Sequence, residues 1–196
     1  MELGLLYSGG KDSTLAALVL DRFYDITLVT VHFGITDEHA HARAAAAETD
    51  FDFETLQLDR GVADDAVALM VEDGYPRNGI QHVHEHALEA VAERFDAVAD
   101  GTRRDDRVPT VSRAHAQSLE DRHGVDYVSP LSGFGRGAID RLVAAELDVE
   151  TGPSEEIPRA DYEAELRALL AADRDDTAIS DVFPEHDQTY VHGLRN

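Results

Sequence analysis

Ser8-Gly9-Gly10-Lys11-Asp12-Ser13 is the stretch of this sequence whose residue types and spacing can do chemistry. It lies between a short apolar run, Leu3–Tyr7, and a segment of helical periodicity, Thr14–Phe23. Two adjacent glycines let a backbone approach an anion closely. Free N–H groups at a helix start, together with the helix dipole, favour phosphate there. Ser8 and Ser13 add hydroxyl donors, and Asp12 adds a carboxylate suited to a hard cation such as Mg²⁺. Lys11 is the only lysine of the chain; the other 16 of its 17 basic side chains are Arg. A compact ammonium on a flexible stem can follow a moving phosphate, which a planar guanidinium does less well. An ordinary glycine turn with a serine cap is the bland alternative. The stretch is not the Gly-x-x-x-x-Gly-Lys-Ser/Thr signature. Gly4 and Gly9 have that spacing, but Gly10 stands where Lys belongs.

The surrounding pattern must place this loop. Strands are expected at Leu3–Tyr7, Ile26–Phe33, Phe53–Leu58, Ala97–Ala99 and Asp126–Val128. Helices are expected over Thr14–Phe23, an Ala-rich stretch opened by Asp37 and Glu38, Val62–Glu72, and the run Ile80, Val83, Ala87, Val91, Phe95. Three more follow at Ser112–His123, Ala138–Leu147 and Ala160–Ala172, the last after a loop punctuated by Pro153 and Pro158. Thr177–Asn196 has no clear period. Alternation of this kind predicts an α/β fold, Rossmann-like and doubly wound, with a mainly parallel five-stranded sheet. Ligands of such sheets sit at the carboxyl ends of the strands, at the topological switch point. The loops after the first and fourth strands are therefore the places to look. One domain, 1–196, is expected, with a motif-bearing core at 1–150 and a helix and tail at 151–196.

Composition narrows the function classes. There are 40 Asp and Glu against 17 Lys and Arg, a formal net charge of −23. This resembles the acidic, lysine-poor proteins of halophiles, whose surfaces stay soluble in salt. A cationic partner is the other reading. The negative field opposes nucleic acid in dilute salt, an objection that weakens near 1 M, where the Debye length is about 3 Å. With no cysteine, the chain carries no disulfide, Cys-ligated zinc, iron–sulfur cluster or thiol nucleophile. No apolar run approaches a membrane span, and Met1–Tyr7 lacks a basic leader region, so no membrane partner and a cytoplasmic location are expected.

The hexapeptide resembles the PP-loop of the N-type ATP pyrophosphatases, SGGxDS, and matches it in full at the expected place near the N-terminus. Asp100-Gly101-Thr102-Arg103-Arg104-Asp105-Asp106 is similar to the GHNxDD segment of the tRNA-modifying members, with Thr102 in place of His and arginines in place of neutral residues. Ser129-Pro130-Leu131 followed by Ile139 is similar to their RPL…I pattern, and Val31-His32-Phe33-Gly34 to the loop that lies near the nucleotide. The likeness spans about Met1 to Val149 and takes in the adenine nucleotide alpha hydrolase-like fold.

The resemblance implies ATP and Mg²⁺ as cofactors. ATP would be cleaved to AMP and pyrophosphate, adenylating a substrate carbonyl or carboxylate for C–N ligation. It places Ser8, Gly9, Gly10 and Ser13 on pyrophosphate, Lys11 on the departing phosphates, and Asp12 and Asp106 on the metal. His32, Gly101, Thr102 and Arg136 are the remaining nucleotide candidates, with Arg103 and Arg107 as alternative anion-binding cations. The acceptor is a small molecule or tRNA. Without its own cysteine the chain would take nitrogen from ammonia, an amine or a partner, or sulfur from a partner as a subunit of a 2-thiouridylase-type enzyme. A non-catalytic nucleotide sensor is the rival from another class. A homodimer is a further implication.

Other signals are weaker. His82-Val83-His84-Glu85-His86 matches the inverted zincin pattern, but a solvated His-rich helix face is the simpler reading. Ser132–Gly137, which carries Arg136, reads as a flexible turn as readily as an anion loop. Phe183–Tyr190 is dense in polar groups, and reads as a tail docked on the sheet or as a substrate or subunit contact.

Overall fold

The computed structural model describes residues 1–154, 156–158, 160–173 and 179–195. Residues 155, 159, 174–178 and 196, parts of the expected C-terminal helix and tail segment, lie outside the described residues. Five strands form one parallel sheet: β1 (Glu2–Leu6), β2 (Asp25–His32), β3 (Asp52–Gln57), β4 (Ala97–Ala99) and β5 (Asp126–Val128). Their order is β3-β2-β1-β4-β5. The chain winds outward from β1 in one direction and then returns to β4 on its other side. The switch point is therefore between the carboxyl ends of β1 and β4, where the register runs Leu3↔Ala97 to Leu5↔Ala99.

Period-two alternation distributes the strands' side chains between two cores. Leu3, Leu5, Ile26, Leu28, Ala97 and Ala99 face one layer; Leu6, Val29, Val31 and Val98 face the other. Both layers are apolar, as a parallel sheet covered on both faces requires. The first is closed by α1 (Lys11–Leu20), α2 (His39–Ala46) and α6 (Arg136–Glu146). The second is closed by α3 (Arg60–Asp73), α4 (Arg77–Ala92), α5 (Arg113–His123) and α7 (Tyr162–Asp173). A short helix, α8 (Ile179–Val182), brings Val182 and Phe183 into that second core.

Three differences from the sequence reading matter. First, α1 starts at Lys11 rather than Thr14, because Thr14 N–H donates to Gly10 O at 3.2 Å and extends the helix into its polar first turn. Lys11-Asp12-Ser13 has no apolar member to reveal this. Second, the segment taken as a loop and the tail without a period form a two-stranded antiparallel sheet, β6 (Leu147–Pro153) with β7 (Asp187–Leu194). Its register shifts at Asp148/Val149, and Tyr190 and Val191 are both buried, so no clean alternation is legible. Third, the His-rich stretch is a solvated face only in part: His86 is exposed and His82 half-buried, but His84 on α4 is 4% exposed.

Candidate functional site

The loop between β1 and α1 turns at Gly9, whose φ of +75° is left-handed backbone open to glycine at little cost. Ser13 Oγ closes it by donating to Gly10 O at 3.2 Å and accepting from Ser8 N–H at 3.4 Å. The loop after β4 lies directly against it. A Cβ on Gly101 would stand 2.7 Å from Ser13 N and 2.9 Å from the Asp12 carbonyl carbon, so only glycine fits that approach. The structure thus brings together the two loops that the strand pattern singled out.

The C-terminal sheet completes the site. Val191 N–H donates to Gly9 O at 3.0 Å, and Thr189 Oγ1 accepts from Lys11 N–H at 3.2 Å. Gln188 and Thr189 of β7 thereby line a polar cavity of about 290 Å³ with Ser8, Gly10, Lys11, Asp12, Ser13 and Arg103. Sequence reasoning did not place Gln188 and Thr189 beside the glycine loop; it read Phe183–Tyr190, which holds them, as a docked tail or a substrate or subunit contact. Their signal was only the polar density of the tail.

Two cations converge on Asp12. Lys11 Nζ is 2.9 Å from Asp12 Oδ2, and Arg103 Nη1 is 3.8 Å from the same oxygen. Arg103 is in turn held by Asp106: its Nε and Nη2 reach Asp106 Oδ1 at 3.1 and 2.9 Å, and its N–H donates to Oδ2 at 2.8 Å. Burial lowers the Arg103 pKa, but the charge of Asp12 and the Asp106 hydrogen bond outweigh it and hold the guanidinium charged. Asp12 Oδ1 is buried with no hydrogen-bond partner among the described residues. An orphaned carboxylate oxygen at the polar cavity fits a hard cation. Asp106 does not fit as a second ligand in this arrangement, because both its oxygens are engaged by Arg103. It positions that arginine instead.

A second, larger cavity of about 510 Å³ meets the first at Ser8, Asp12, Ser13 and Asp161. Leu6, Tyr75, Pro76, Ile80, Val108, Pro109 and Phe183 supply its apolar walls, while Gly101, Thr102, Asp106 and Arg107 border it on one side. His84, Asp100 and Tyr162 form a buried chain in its wall. His84 Nε2 is 2.8 Å from Asp100 Oδ2 and Nδ1 is 3.1 Å from Tyr162 Oη. Asp100 also accepts from Tyr127 Oη at 3.1 Å and from Thr102 N–H and Oγ1 at 2.9 and 2.6 Å. Burial pushes the Asp100 carboxyl up, yet the His84 bond and charge and the Thr102 donors hold it below the usual range. Burial and nearby carboxylates hold Tyr162 protonated.

Two sequence candidates fall elsewhere. His32 lines neither cavity and stacks on His39 with ring centroids 4.5 Å apart. The backbone after it is occupied, since Glu165 of α7 accepts from Phe33 N–H at 2.6 Å, Ile35 N–H at 2.7 Å and Thr36 N–H at 3.2 Å. Arg136 opens α6, is exposed, and lines neither cavity. Arg107, by contrast, borders the larger one.

Fold and site together define a Rossmann-like α/β protein with a glycine loop and a polar cavity at its switch point. The chain belongs to the family of unknown function DUF7411, whose model matches residues 1–193. It is 39% identical to an uncharacterized protein of Methanocaldococcus jannaschii, over 100% of this chain and 97% of that one. A crystal structure described as a predicted subunit of tRNA methyltransferase, also from Methanocaldococcus jannaschii, superposes with a TM-score of 0.91 at 38% identity. That match covers 100% of this chain and 98% of that chain. The U34-tRNA thiolase NcsA of Methanococcus maripaludis matches 74% of this chain and 56% of its own, at 16% identity and a TM-score of 0.43.

No helix among the described residues is long and apolar enough to cross a membrane.

Proposed function

We propose that the chain is a PP-loop protein that binds ATP at the Ser8–Ser13 loop and cleaves it to AMP and pyrophosphate, activating an acceptor oxygen as its adenylate. The observation that carries this reading is the polar cavity itself, where the N-terminus of α1, Lys11, Arg103 and the Ser8 and Ser13 hydroxyls converge. Donors fixed where charge develops are the main resource for such a transfer. The loop backbone and its hydroxyls would hold the pyrophosphate. Lys11 and Arg103 would neutralise charge as the phosphates depart, and Asp106 would keep Arg103 aimed. Asp12 Oδ1 would hold Mg²⁺, which when bound supplies further neutralisation of the phosphate charge. AMP would then be displaced by a nitrogen nucleophile, giving C–N ligation. Sulfur, in place of nitrogen, would come as free sulfide or from a partner, since the chain has no cysteine.

The match to a protein described as a predicted subunit of tRNA methyltransferase favours tRNA modification as the setting, with this chain as one subunit of the machinery. The test is incubation with α-labelled ATP and Mg²⁺ in high-salt buffer, with tRNA, small metabolites and ammonium in separate arms. AMP in the tRNA arm alone would place the chain in RNA modification. AMP in a metabolite arm would make it a small-molecule ligase. ADP in place of AMP would refute the bond assignment, and binding without AMP in any arm would make the chain a nucleotide sensor.

A further inference from the structure

We propose that the larger cavity is the acceptor pocket, and that Tyr162, backed by His84 and Asp100, takes a proton from an amide or lactam N–H of the acceptor. The inference rests on the reading that an acceptor oxygen attacks the α-phosphorus. The balance of cations to carboxylates differs between the two cavities: the smaller has Lys11 and Arg103 beside Asp12, Asp161 and Asp187. The larger one is bordered by the carboxylates of Asp12, Asp100, Asp106, Asp161 and Glu163, with Arg107 as its one arginine. Such a wall disfavours a phosphate chain and suits an uncharged acceptor. A volume of about 510 Å³ with apolar walls and a few convergent polar groups is the usual form of a small-molecule pocket. Tyr75, 46% exposed at its border, offers a ring for a flat ligand. Because Ser8, Asp12 and Ser13 border both cavities, an acceptor oxygen there lies beside the glycine loop.

The buried chain gives the proton a route. Both His84 nitrogens are engaged, one by Asp100 at 2.8 Å and one by Tyr162 at 3.1 Å, so a proton reaches His84 through the Tyr162 hydroxyl. The acceptor N–H proton passes to Tyr162 Oη as the hydroxyl's own proton passes to His84 Nδ1. The freed N–H electron pair forms the N=C bond, and the carbonyl π pair moves onto oxygen. That oxygen forms the bond to the α-phosphorus, and the bond from the α-phosphorus to the bridging oxygen breaks, so pyrophosphate leaves with the pair. The imidazolium left at His84 is held by the ionised Asp100. Tyr162 is the catalytic residue in this step; His84 and Asp100 are positioning residues that accept and stabilise the proton.

Uridine, a lactam, and N3-methyluridine, which lacks the N–H, are the probes. Titration calorimetry should find uridine bound about fivefold to tenfold more tightly, the worth of one good hydrogen bond. Tyr162→Phe, which removes only the hydroxyl, should abolish that preference. Lys11→Ala should keep it, since Lys11 does not line this cavity. His84→Gln should also keep it, yet lower kcat for AMP formation by about 10² without raising KM, a split that a merely structural role would not produce. No preference in the unaltered protein, a preference that survives Tyr162→Phe, or no uridine binding at millimolar concentration would each overturn the proposal. Absence of AMP in every arm would instead refute the ATP-cleavage reading. The nucleoside titrations would still decide the pocket.

Discussion

Replacing Glu165 by alanine should unseat the backbone that follows β2. The carboxylate is 4% exposed and accepts from Phe33, Ile35 and Thr36 N–H, the first two at 2.6 and 2.7 Å. Hydrogen bonds to a charged group contribute about 1.5–3 kcal/mol each, and three on one anion share a single desolvation cost, so the expected loss is about 3–5 kcal/mol. For a chain of this length that is a fall in Tm of roughly 6–20 °C. Glu165→Gln should lose about half as much. Its amide keeps one acceptor oxygen but turns an NH₂ towards donors that need an acceptor. Urea unfolding of the three proteins in the same high-salt buffer reads the difference directly, provided the m-value is unchanged. An alanine variant that loses less than about 1 kcal/mol would show water replacing the carboxylate at no cost and refute the reasoning. So would a glutamine variant as damaged as alanine.

Lys11→Ala should reduce AMP formation by at least about 10² while leaving the fold intact, read by labelled-ATP assay and circular dichroism. Gly101→Ala puts a methyl against the Ser13 and Asp12 backbone, so it should cost about 1–3 kcal/mol in urea unfolding and weaken nucleotide binding. The Asp100 carboxyl is held below its ordinary value in the fold. Its ionised form therefore stabilises the protein above the unfolded value of about 3.9, and this stability is lost as pH falls through the folded value. Asp100→Asn should flatten that acid limb in pH-dependent thermal unfolding. With a net charge of −23, the midpoint of thermal unfolding should rise steadily with KCl towards about 1 M as self-repulsion is screened.

Local chemistry made much of this protein readable in advance. Most strands of the main sheet are short runs rich in apolar and β-branched residues, the edge strand β3 being the polar exception, and the alternation with helices already implies a doubly wound sheet. The loop was readable because glycines, hydroxyls and the one lysine are contiguous, and adjacent residues need no tertiary structure to meet. What the sequence hid depends on contacts between distant segments. Thr189 meets Lys11, and Glu165 meets Phe33, across more than a hundred residues. His84 looked like one of several helix-surface histidines until Asp100 and Tyr162 enclosed it from two other elements. The β6–β7 sheet left no period because its register shifts and neighbouring residues are both buried. The chemistry of one loop can thus be read from its own contiguous residues. Which carboxylate holds an arginine, which keeps an oxygen without a hydrogen-bond partner among the described residues, and which histidine is enclosed between a carboxylate and a tyrosine are decided only when the packed sheet and its C-terminal elements bring their partners into reach.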